Sequence, residues 1–130
     1  MTAKLKNSMG IDLVEVSKIR ASHKKFGKRF LAKVLTQREI AYCRKKRNFY
    51  QSIAVRFAAK EAFKKGLSSY WAKPISWQDI EVVMGKDSVP QMRLSSKLSK
   101  IMGRRDVCVS LSHTEKFAVA VVLISRLERL

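Results

Sequence analysis

The sequence predicts an α+β fold in which a mostly antiparallel sheet packs against a long central helix and several shorter helices. Apolar and polar residues alternate near the N-terminus and again beyond residue 75, as is typical of strands, whereas the residues between them follow helical spacing. The chain has 130 residues, 46% of them hydrophobic, and can therefore bury a core. Because no repeat, linker or low-complexity tract divides it, we predict a single domain over residues 1–130.

The first half of the chain predicts one strand followed by helical segments. In the strand, Met9–Val16, residues Ile11 and Leu13 face one side and Asp12 the other. The helical signals are a Thr-x-x-Glu capping box, glycines that bend or end helices, and runs of alanine and long side chains. The predicted segments are Lys18–Lys33, capped by Ser17 and bent or broken at Gly27; a short helix from Thr36 to about Arg47; and a central helix from about Phe49 to Lys65, ended by Gly66.

The second half predicts strands and turns with one short helix. Alternating apolar residues replace the helical spacing, and glycine, proline and polar turn residues separate the strands. The predicted elements are a loop at Ser68–Lys73, a strand from Ile75 to Met84, a turn at Gly85–Ser88, an edge strand Val89–Leu94 containing Pro90, a helix Ser95–Met102 ended by Gly103, and strands Val107–Leu111 and Phe117–Ile124 around the turn Ser112–Lys116.

The chain is strongly basic, with 28 Lys and Arg against 10 Asp and Glu and a net charge of +18. This excess predicts a polyanionic partner: nucleic acid, an anionic membrane, a phosphorylated cofactor or an acidic protein. Phe49 and Tyr50 follow the basic run Arg44–Arg47, where they would either stack on nucleic-acid bases or pack in the core. We find no RNA-recognition signature around them.

The cysteines and the apolar runs predict a soluble cytoplasmic protein. Cys43 and Cys108 lie far apart with no zinc-type spacing, so we expect both to be reduced, buried thiols. The polar N-terminal segment Met1–Ser8 contains no signal-peptide core, and the longest apolar run, Phe117–Ile124, is too short to span a bilayer.

The octapeptide Arg56–Phe63 contains a carboxylate at an unusual place. On a helix, Ile53, Phe57 and Glu61 lie four residues apart, so that a carboxylate ends an apolar row beside a basic row of Arg56, Lys60 and Lys64. A carboxylate near apolar surface requires a partner, either a metal ion or a salt bridge. The alternative is an ordinary amphipathic helix with ion pairs between successive turns.

A second carboxylate, Asp12, lies within the first predicted strand, where Asp is disfavoured. It is either a solvated outward side chain or, together with Glu61, part of a magnesium site. Mg²⁺ prefers hard carboxylate oxygens and completes its octahedron with waters and substrate phosphates. Because 49 positions separate the two carboxylates, their proximity is a hypothesis at this point.

His113 lies in a polar turn between two predicted strands. It is either a hydrogen-bonded turn residue or a functional residue that contacts phosphate or relays a proton. Ser112 beside it lacks the Gly-x-Ser-x-Gly elbow of hydrolases. The sequence also contains no Walker loop, Gly-x-Gly-x-x-Gly or His-Glu-x-x-His motif, which excludes the common nucleotide-binding and metalloprotease templates.

Four segments together resemble one family, the holo-acyl-carrier-protein synthases, which are the small bacterial type of 4′-phosphopantetheinyl transferase. The resemblance extends from about Ser8 to Ser125, and its most specific parts are the Gly-Ile-Asp strand and the Arg-Phe-Ala-Ala-Lys-Glu-Ala-Phe helix. The segments are Gly10–Val16, Leu35–Glu39, Arg56–Phe63 and Ser110–Thr114.

The resemblance implies a 4′-phosphopantetheinyl transferase-like fold and a Mg²⁺-dependent activity. The family moves 4′-phosphopantetheine from coenzyme A to a serine of apo-acyl carrier protein, releases adenosine 3′,5′-bisphosphate, and so activates the carrier for fatty acid biosynthesis. By this resemblance Asp12 and Glu61 are the Mg²⁺ ligands, and Glu61 or a metal-bound water is the base. The remaining roles it implies are catalytic for Lys65 and His113; coenzyme binding for Arg56, Lys60, Lys64, His113 and Thr114; and docking of the acidic carrier protein for Lys18, Lys24, Lys25, Lys28 and Arg29.

The resemblance also implies a homotrimer whose active site crosses a subunit boundary, with coenzyme A and the carrier protein as partners rather than nucleic acid or a membrane. The chain departs from the family in having Ser8 where a glycine is frequent, and Gly66–Lys73 in place of a Gly-Thr-Gly-like loop. A basic nucleic-acid-binding domain of the ribosomal type is the alternative, but it leaves Asp12 and Glu61 unexplained. A third reading is a relative that only binds coenzyme A or carrier protein.

Overall fold

A computed structural model describes residues 7–126, so the two ends of the predicted domain lie outside the described residues. The fold is α+β, as predicted. The elements are β1 Asn7–Glu15, α1 Val16–Phe26, α2 Lys28–Val34, α3 Gln37–Arg44, α4 Phe49–Leu67, a 3₁₀ turn Trp77–Asp79, β2 Ile80–Met84, β3 Pro90–Leu94, α5 Ser96–Met102, β4 Arg105–His113 and β5 Phe117–Arg126.

The strands form two antiparallel sheets. The larger sheet has the order β1-β5-β4, and the smaller one is the β2–β3 hairpin. One face of the larger sheet packs on α4, and every second residue of the central strand β5 is buried there. The fully buried residues of this strand are Ala118, Ala120, Val122 and Ile124.

The inner face of β1 lies unusually close to α4. A Cβ atom added to Gly10 would lie 1.8 Å from the Ala62 carbonyl oxygen, so no side chain fits at this position. Ser8 Oγ donates a hydrogen bond of 2.8 Å to the Gly66 carbonyl oxygen, which ties the strand to the end of the helix. The expectation that Gly66 ends the helix is wrong, because α4 continues through Leu67.

Most helix boundaries follow local signals in the sequence. The capping box is confirmed, because the Thr36 N–H donates to Glu39 Oε1 at 2.9 Å and the Glu39 N–H donates to Thr36 Oγ1 at 3.2 Å. Gly27 adopts a φ of +59° and separates α1 from α2, which confirms the predicted break. Ser17 does not cap α1, because the helix already begins at Val16.

The strand predicted from Ile75 begins only at Ile80. Ser76 Oγ accepts a hydrogen bond from the Gln78 N–H, and Asp79 Oδ2 accepts one from the Ser76 N–H. These local bonds stabilise a 3₁₀ turn and compete with the extended conformation. The hairpin turn, the edge position of Pro90 and the end of α5 at Gly103 agree with expectation.

The outer face of β1 is exposed and apolar. Met9, Ile11 and Leu13 are 67%, 60% and 64% exposed, whereas Val14 on the opposite face is buried, so the predicted alternation is confirmed. Cys108 lies on the same outer face through β4 and is exposed, contrary to expectation. Cys43 is fully buried as predicted, and burial raises the pKa of its thiol to about 11. None of the helices within residues 7–126 combines the length and apolar character needed to cross a bilayer.

Gly10→Ala should destabilise the protein severely, because the new methyl group meets a helix carbonyl rather than a movable side chain. We expect a loss of more than about 3 kcal/mol in the free energy of unfolding, measured by urea denaturation. Gly66→Ala is the matched control, since the atom nearest its Cβ would be the flexible Ile124 Cδ1 at 3.2 Å, and the backbone atoms of β1 would be at ordinary contact distances of 3.5 Å and more. Equal stability of the two variants would contradict this account.

Candidate active site

Asp12 and Glu61 line one cleft of about 540 Å³. Asp12 reaches it from the inner face of β1, and Glu61 from α4, the helix on which that strand packs. The fold therefore brings the two carboxylates to one cleft despite their separation in sequence. Phe57 and Phe30 form apolar walls of the cleft, and Lys18 lies at its edge on α1.

Two lysines of α4 pair with these carboxylates. Lys65 Nζ donates to Asp12 Oδ1 at 2.9 Å and to the Ile11 carbonyl oxygen at 3.0 Å. Lys64 Nζ lies 3.8 Å from Glu61 Oε1 and 3.8 Å from the centroid of the Trp77 ring. Successive helical residues are about 100° apart, so the two ammonium groups contact different carboxylates.

The donor set fits Mg²⁺. Within residues 7–126, no three His, Cys, Asp or Glu side chains are grouped so that they could hold a metal ion. Mg²⁺ does not need such a cage, because it is usually bound by one or two carboxylates together with substrate phosphates and waters. Asp12 and Glu61 provide two hard oxygen ligands on regular secondary structure, and the Lys65 ammonium shows that a cation fits at Asp12.

Lys60 is fully buried and is not available to a phosphate. Its ammonium donates to Glu39 Oε1 at 2.6 Å, to the Val34 carbonyl oxygen at 2.8 Å and to the Trp77 carbonyl oxygen at 3.1 Å. These three bonds match the three hydrogens of an ammonium group. Burial lowers the pKa of Lys60, while Glu39 opposes that shift. The expectation that Lys60 contacts the coenzyme phosphates is therefore corrected: it is a buried structural cation.

Glu39 is the partner that sequence reasoning missed. Its side chain is 1% exposed; Oε1 accepts from the Thr36 N–H and from Lys60, and Oε2 accepts from the Val82 N–H at 3.0 Å. The capping box explains only the first of these bonds. The sequence held no signal for the other two, because they join residues 21 and 43 positions away.

Arg56 and His113 line a second cavity, of about 630 Å³. The Arg56 guanidinium lies 4.3 Å from the Tyr42 ring centroid and donates to the Ser52 carbonyl oxygen at 3.0 Å. Its Nε is buried without a hydrogen-bond partner. Lys46 also lines the cavity, so two cations and an exposed imidazole surround a space suited to an anion.

His113 is not brought to the carboxylates within one chain. It ends β4 and faces the Arg56 cavity, whereas Asp12 and Glu61 line the other cleft. Thr114 holds the turn that follows: its N–H donates to the Phe117 carbonyl oxygen at 2.7 Å, and its Oγ1 accepts from the Phe117 N–H at 3.1 Å.

The basic residues predicted to dock a carrier protein lie around one corner of the fold. Lys18 lines the carboxylate cleft, while the other four are exposed on either side of Gly27, at the end of α1 and the start of α2: Lys24, Lys25, Lys28 and Arg29. Phe49 and Tyr50 pack against His23 instead of forming a free stacking surface, and the Tyr50 hydroxyl lies 2.9 Å from His23 Nδ1.

Known proteins resemble this chain over most of its length. A family model described as the 4′-phosphopantetheinyl transferase superfamily matches residues 8–122. The holo-[acyl-carrier-protein] synthase of Chloroherpeton thalassium is 39% identical over 116 residues, which cover 89% of this chain and 95% of the relative. That of Halothermothrix orenii is 43% identical over 118 residues, covering 88% and 94% respectively.

Solved structures show the same fold. The Helicobacter pylori holo-[acyl-carrier-protein] synthase in complex with coenzyme A has a TM-score of 0.80 and 34% identity, and the match covers 90% of this chain and 99% of that one. The Neisseria meningitidis synthase has a TM-score of 0.84 and 29% identity, with 92% and 98% covered.

Lys60→Met should lower the free energy of unfolding by about 3 kcal/mol or more, because it leaves the buried Glu39 carboxylate without its counter-charge. The double variant Lys60→Met/Glu39→Gln should recover part of that loss, since it buries no uncompensated charge. Urea denaturation at one fixed protein concentration measures both. Lys64→Met, at a partly exposed ion pair, is the control and should cost about 1 kcal/mol or less. Equal losses for the two single variants would contradict the structural role of Lys60.

Proposed function

The chain belongs to the 4′-phosphopantetheinyl transferase superfamily and is an enzyme of the holo-[acyl-carrier-protein] synthase type, and we propose that it transfers 4′-phosphopantetheine from coenzyme A to a serine of apo-acyl carrier protein. The reaction is Mg²⁺-dependent and releases adenosine 3′,5′-bisphosphate. The observation that carries this proposal is the convergence of Asp12 and Glu61 on one cleft. Two carboxylates beside cationic side chains suit a metal-assisted phosphoryl-type transfer.

In this proposal Asp12 and Glu61 bind the metal, and Lys64 and Lys65 bind the substrate. When bound, Mg²⁺ neutralises the negative charge of the coenzyme A pyrophosphate. The serine oxygen attacks the phosphorus that carries pantetheine, the bond to the neighbouring phosphate breaks, and that phosphate leaves as part of adenosine 3′,5′-bisphosphate. Glu61 accepts the serine proton, directly or through water. Lys65, with Lys64 beside it, lies close enough to the cleft to stabilise the leaving phosphate.

The cavity of Arg56 and His113 suits the nucleotide end of coenzyme A. It holds two cations and an imidazole, and its volume of about 630 Å³ accommodates a nucleotide-sized group. We assign the 3′-phosphate to the neighbourhood of His113 and the Thr114 turn. Arg56 contributes as a fixed cation at the cavity wall, because it is only 3% exposed.

Self-association would bring the two cavities together. Within one chain the His113 cavity and the carboxylate cleft are separate, yet one coenzyme must contact both. The exposed apolar face of β1 is a surface that another copy could cover. We propose a homotrimer in which His113 of one chain completes the carboxylate cleft of its neighbour.

The basic corner around Gly27 suits an acidic carrier protein. Four exposed cations lie within six residues there, and Lys18 connects this corner to the carboxylate cleft. Opposite charges would steer the carrier towards the cleft. We further propose a cytoplasmic role in fatty acid biosynthesis, which agrees with two free cysteines in a reducing compartment.

Mass spectrometry of apo-acyl carrier protein tests the activity directly. Incubation with this protein, coenzyme A and Mg²⁺ should add one phosphopantetheine to the carrier, and an unchanged carrier mass would contradict the proposal. Glu61→Gln should reduce the rate more than about 100-fold without unfolding the protein, because it removes a metal ligand and base. Asp87→Asn, in the exposed hairpin turn, is the matched control and should keep the normal rate.

Mixing two inactive variants tests the shared site. Glu61→Gln and His113→Ala should each be nearly inactive as pure proteins. Trimers assembled at random by equal co-expression should together regain about a quarter of the normal activity, because an intact Glu61 meets a neighbour's intact His113 at about a quarter of all sites. Mixed trimers as inactive as the pure variants would show that both residues act within one chain.

A further inference from the structure

One carboxylate of the proposed metal site is already paired with a cation of the chain itself. The Lys65 ammonium binds Asp12 Oδ1 at 2.9 Å and the neighbouring Ile11 carbonyl oxygen at 3.0 Å. The Asp12 side chain is 16% exposed, whereas that of Lys65 is 55% exposed. The Asp12 carboxylate is thus held in the fold, whereas the Lys65 ammonium lies at the end of a flexible side chain at the surface.

We propose that Lys65 is an internal counter-ion that competes with Mg²⁺ for Asp12, so that metal binding releases the Lys65 ammonium to the anionic substrate. This inference rests on the proposed function only for the location of the metal. It assigns Lys65 a second state, bound to the strand, in addition to its proposed contact with the leaving phosphate.

The two cations exclude each other on simple electrostatic grounds. A Mg²⁺ ion binds carboxylate oxygens at about 2.0–2.1 Å, and an ammonium hydrogen-bonded to the same oxygen would lie within a few ångströms of it. Like charges at that distance repel strongly in a partly buried cleft. Lys65 therefore leaves Asp12 when the metal arrives, and its exposed stem lets it move without disturbing the core.

The neighbouring lysines of α4 do not share this property. Lys64 is held over the Trp77 ring, 3.8 Å from its centroid, and only approaches Glu61. Lys60 is buried against Glu39 and cannot exchange. Among these three lysines, Lys65 alone pairs with Asp12.

The exchange couples metal and substrate. Without metal, the Lys65 ammonium is bound to Asp12 and is less available to a phosphate group. With metal bound, it no longer contacts Asp12 and can bind a phosphate group of the substrate. A phosphate that draws Lys65 away also frees Asp12, so each ligand favours binding of the other by the same factor. The enzyme would then bind the coenzyme pyrophosphate several-fold more tightly when the metal is present.

A titration of the coenzyme-free protein with Mn²⁺, followed by electron paramagnetic resonance of the free ion, tests the competition without any activity measurement. Mn²⁺ suits the same oxygen ligands. Lys65→Met should bind Mn²⁺ about 1.5- to fivefold more tightly than the unaltered protein, the range expected for removing a partly exposed ion pair. Lys97→Met removes the same charge from the exposed face of α5 and should leave the affinity unchanged. Thermal melting verifies that each variant is folded.

Asp12→Asn separates the two ways in which the inference could fail. If Asp12→Asn loses Mn²⁺ binding while Lys65→Met binds no more tightly than Lys97→Met, the metal site stands and the competition is wrong. If Asp12→Asn binds Mn²⁺ as well as the unaltered protein, or if no variant binds it, the proposed metal site is wrong and the inference falls with it. Tighter binding by Lys65→Met alone supports the competition.

Discussion

The buried ion pair between Lys60 and Glu39 holds together the parts of the molecule that build the site. Its two side chains join α4 to the start of α3, to the end of α2, to the 3₁₀ turn and to β2. Removing either partner of such a buried pair would leave an uncompensated charge in the core, so the two side chains hold these elements in one arrangement. Since Lys60 points into the core, the next residue, Glu61, is rotated about 100° away and faces the cleft. Lys60 thus positions Glu61, the proposed metal ligand that follows it.

The close approach of β1 to α4 is the second contact that brings Asp12 and Glu61 to one cleft. With Gly10 against Ala62 and Ser8 bonded to Gly66, the strand lies directly on the helix, and Asp12 follows two residues after the contact. The helix rotation set by Lys60 and the strand distance set by Gly10 together bring Asp12 and Glu61 to one cleft. The metal site proposed for these two carboxylates therefore depends on Lys60 and Gly10, although neither of them lines the cleft.

Local signals in the sequence predicted local structure well. The capping box at Thr36, the break at Gly27 and the alternation in β1 all depend on residues within a few positions of each other, and each is observed. The family resemblance implied a phosphate contact for Lys60, whereas the partner that buries it, Glu39, is 21 positions away and carries no local signal of the pairing. The bond from Ser8 to the Gly66 carbonyl oxygen was missed for the same reason, since the two residues are 58 positions apart. Within one chain His113 lines a different cavity from Asp12 and Glu61, and only the proposed homotrimer would bring it to their cleft.

The alternation of β1 also constrains how this strand can evolve. Its outer residues, Met9, Ile11 and Leu13, form the exposed apolar face, and its inner residues, Gly10 and Asp12, contact the helix and line the cleft. Because the two sets interleave, inserting or deleting one residue would exchange them, turning the carboxylate outward and an apolar side chain towards Ala62. Substitutions can retune the outer face while the cleft stays intact, but changes of length cannot. The number of residues in β1 is therefore constrained by both of its faces at once, whereas the identity of each outer residue is not constrained by the cleft.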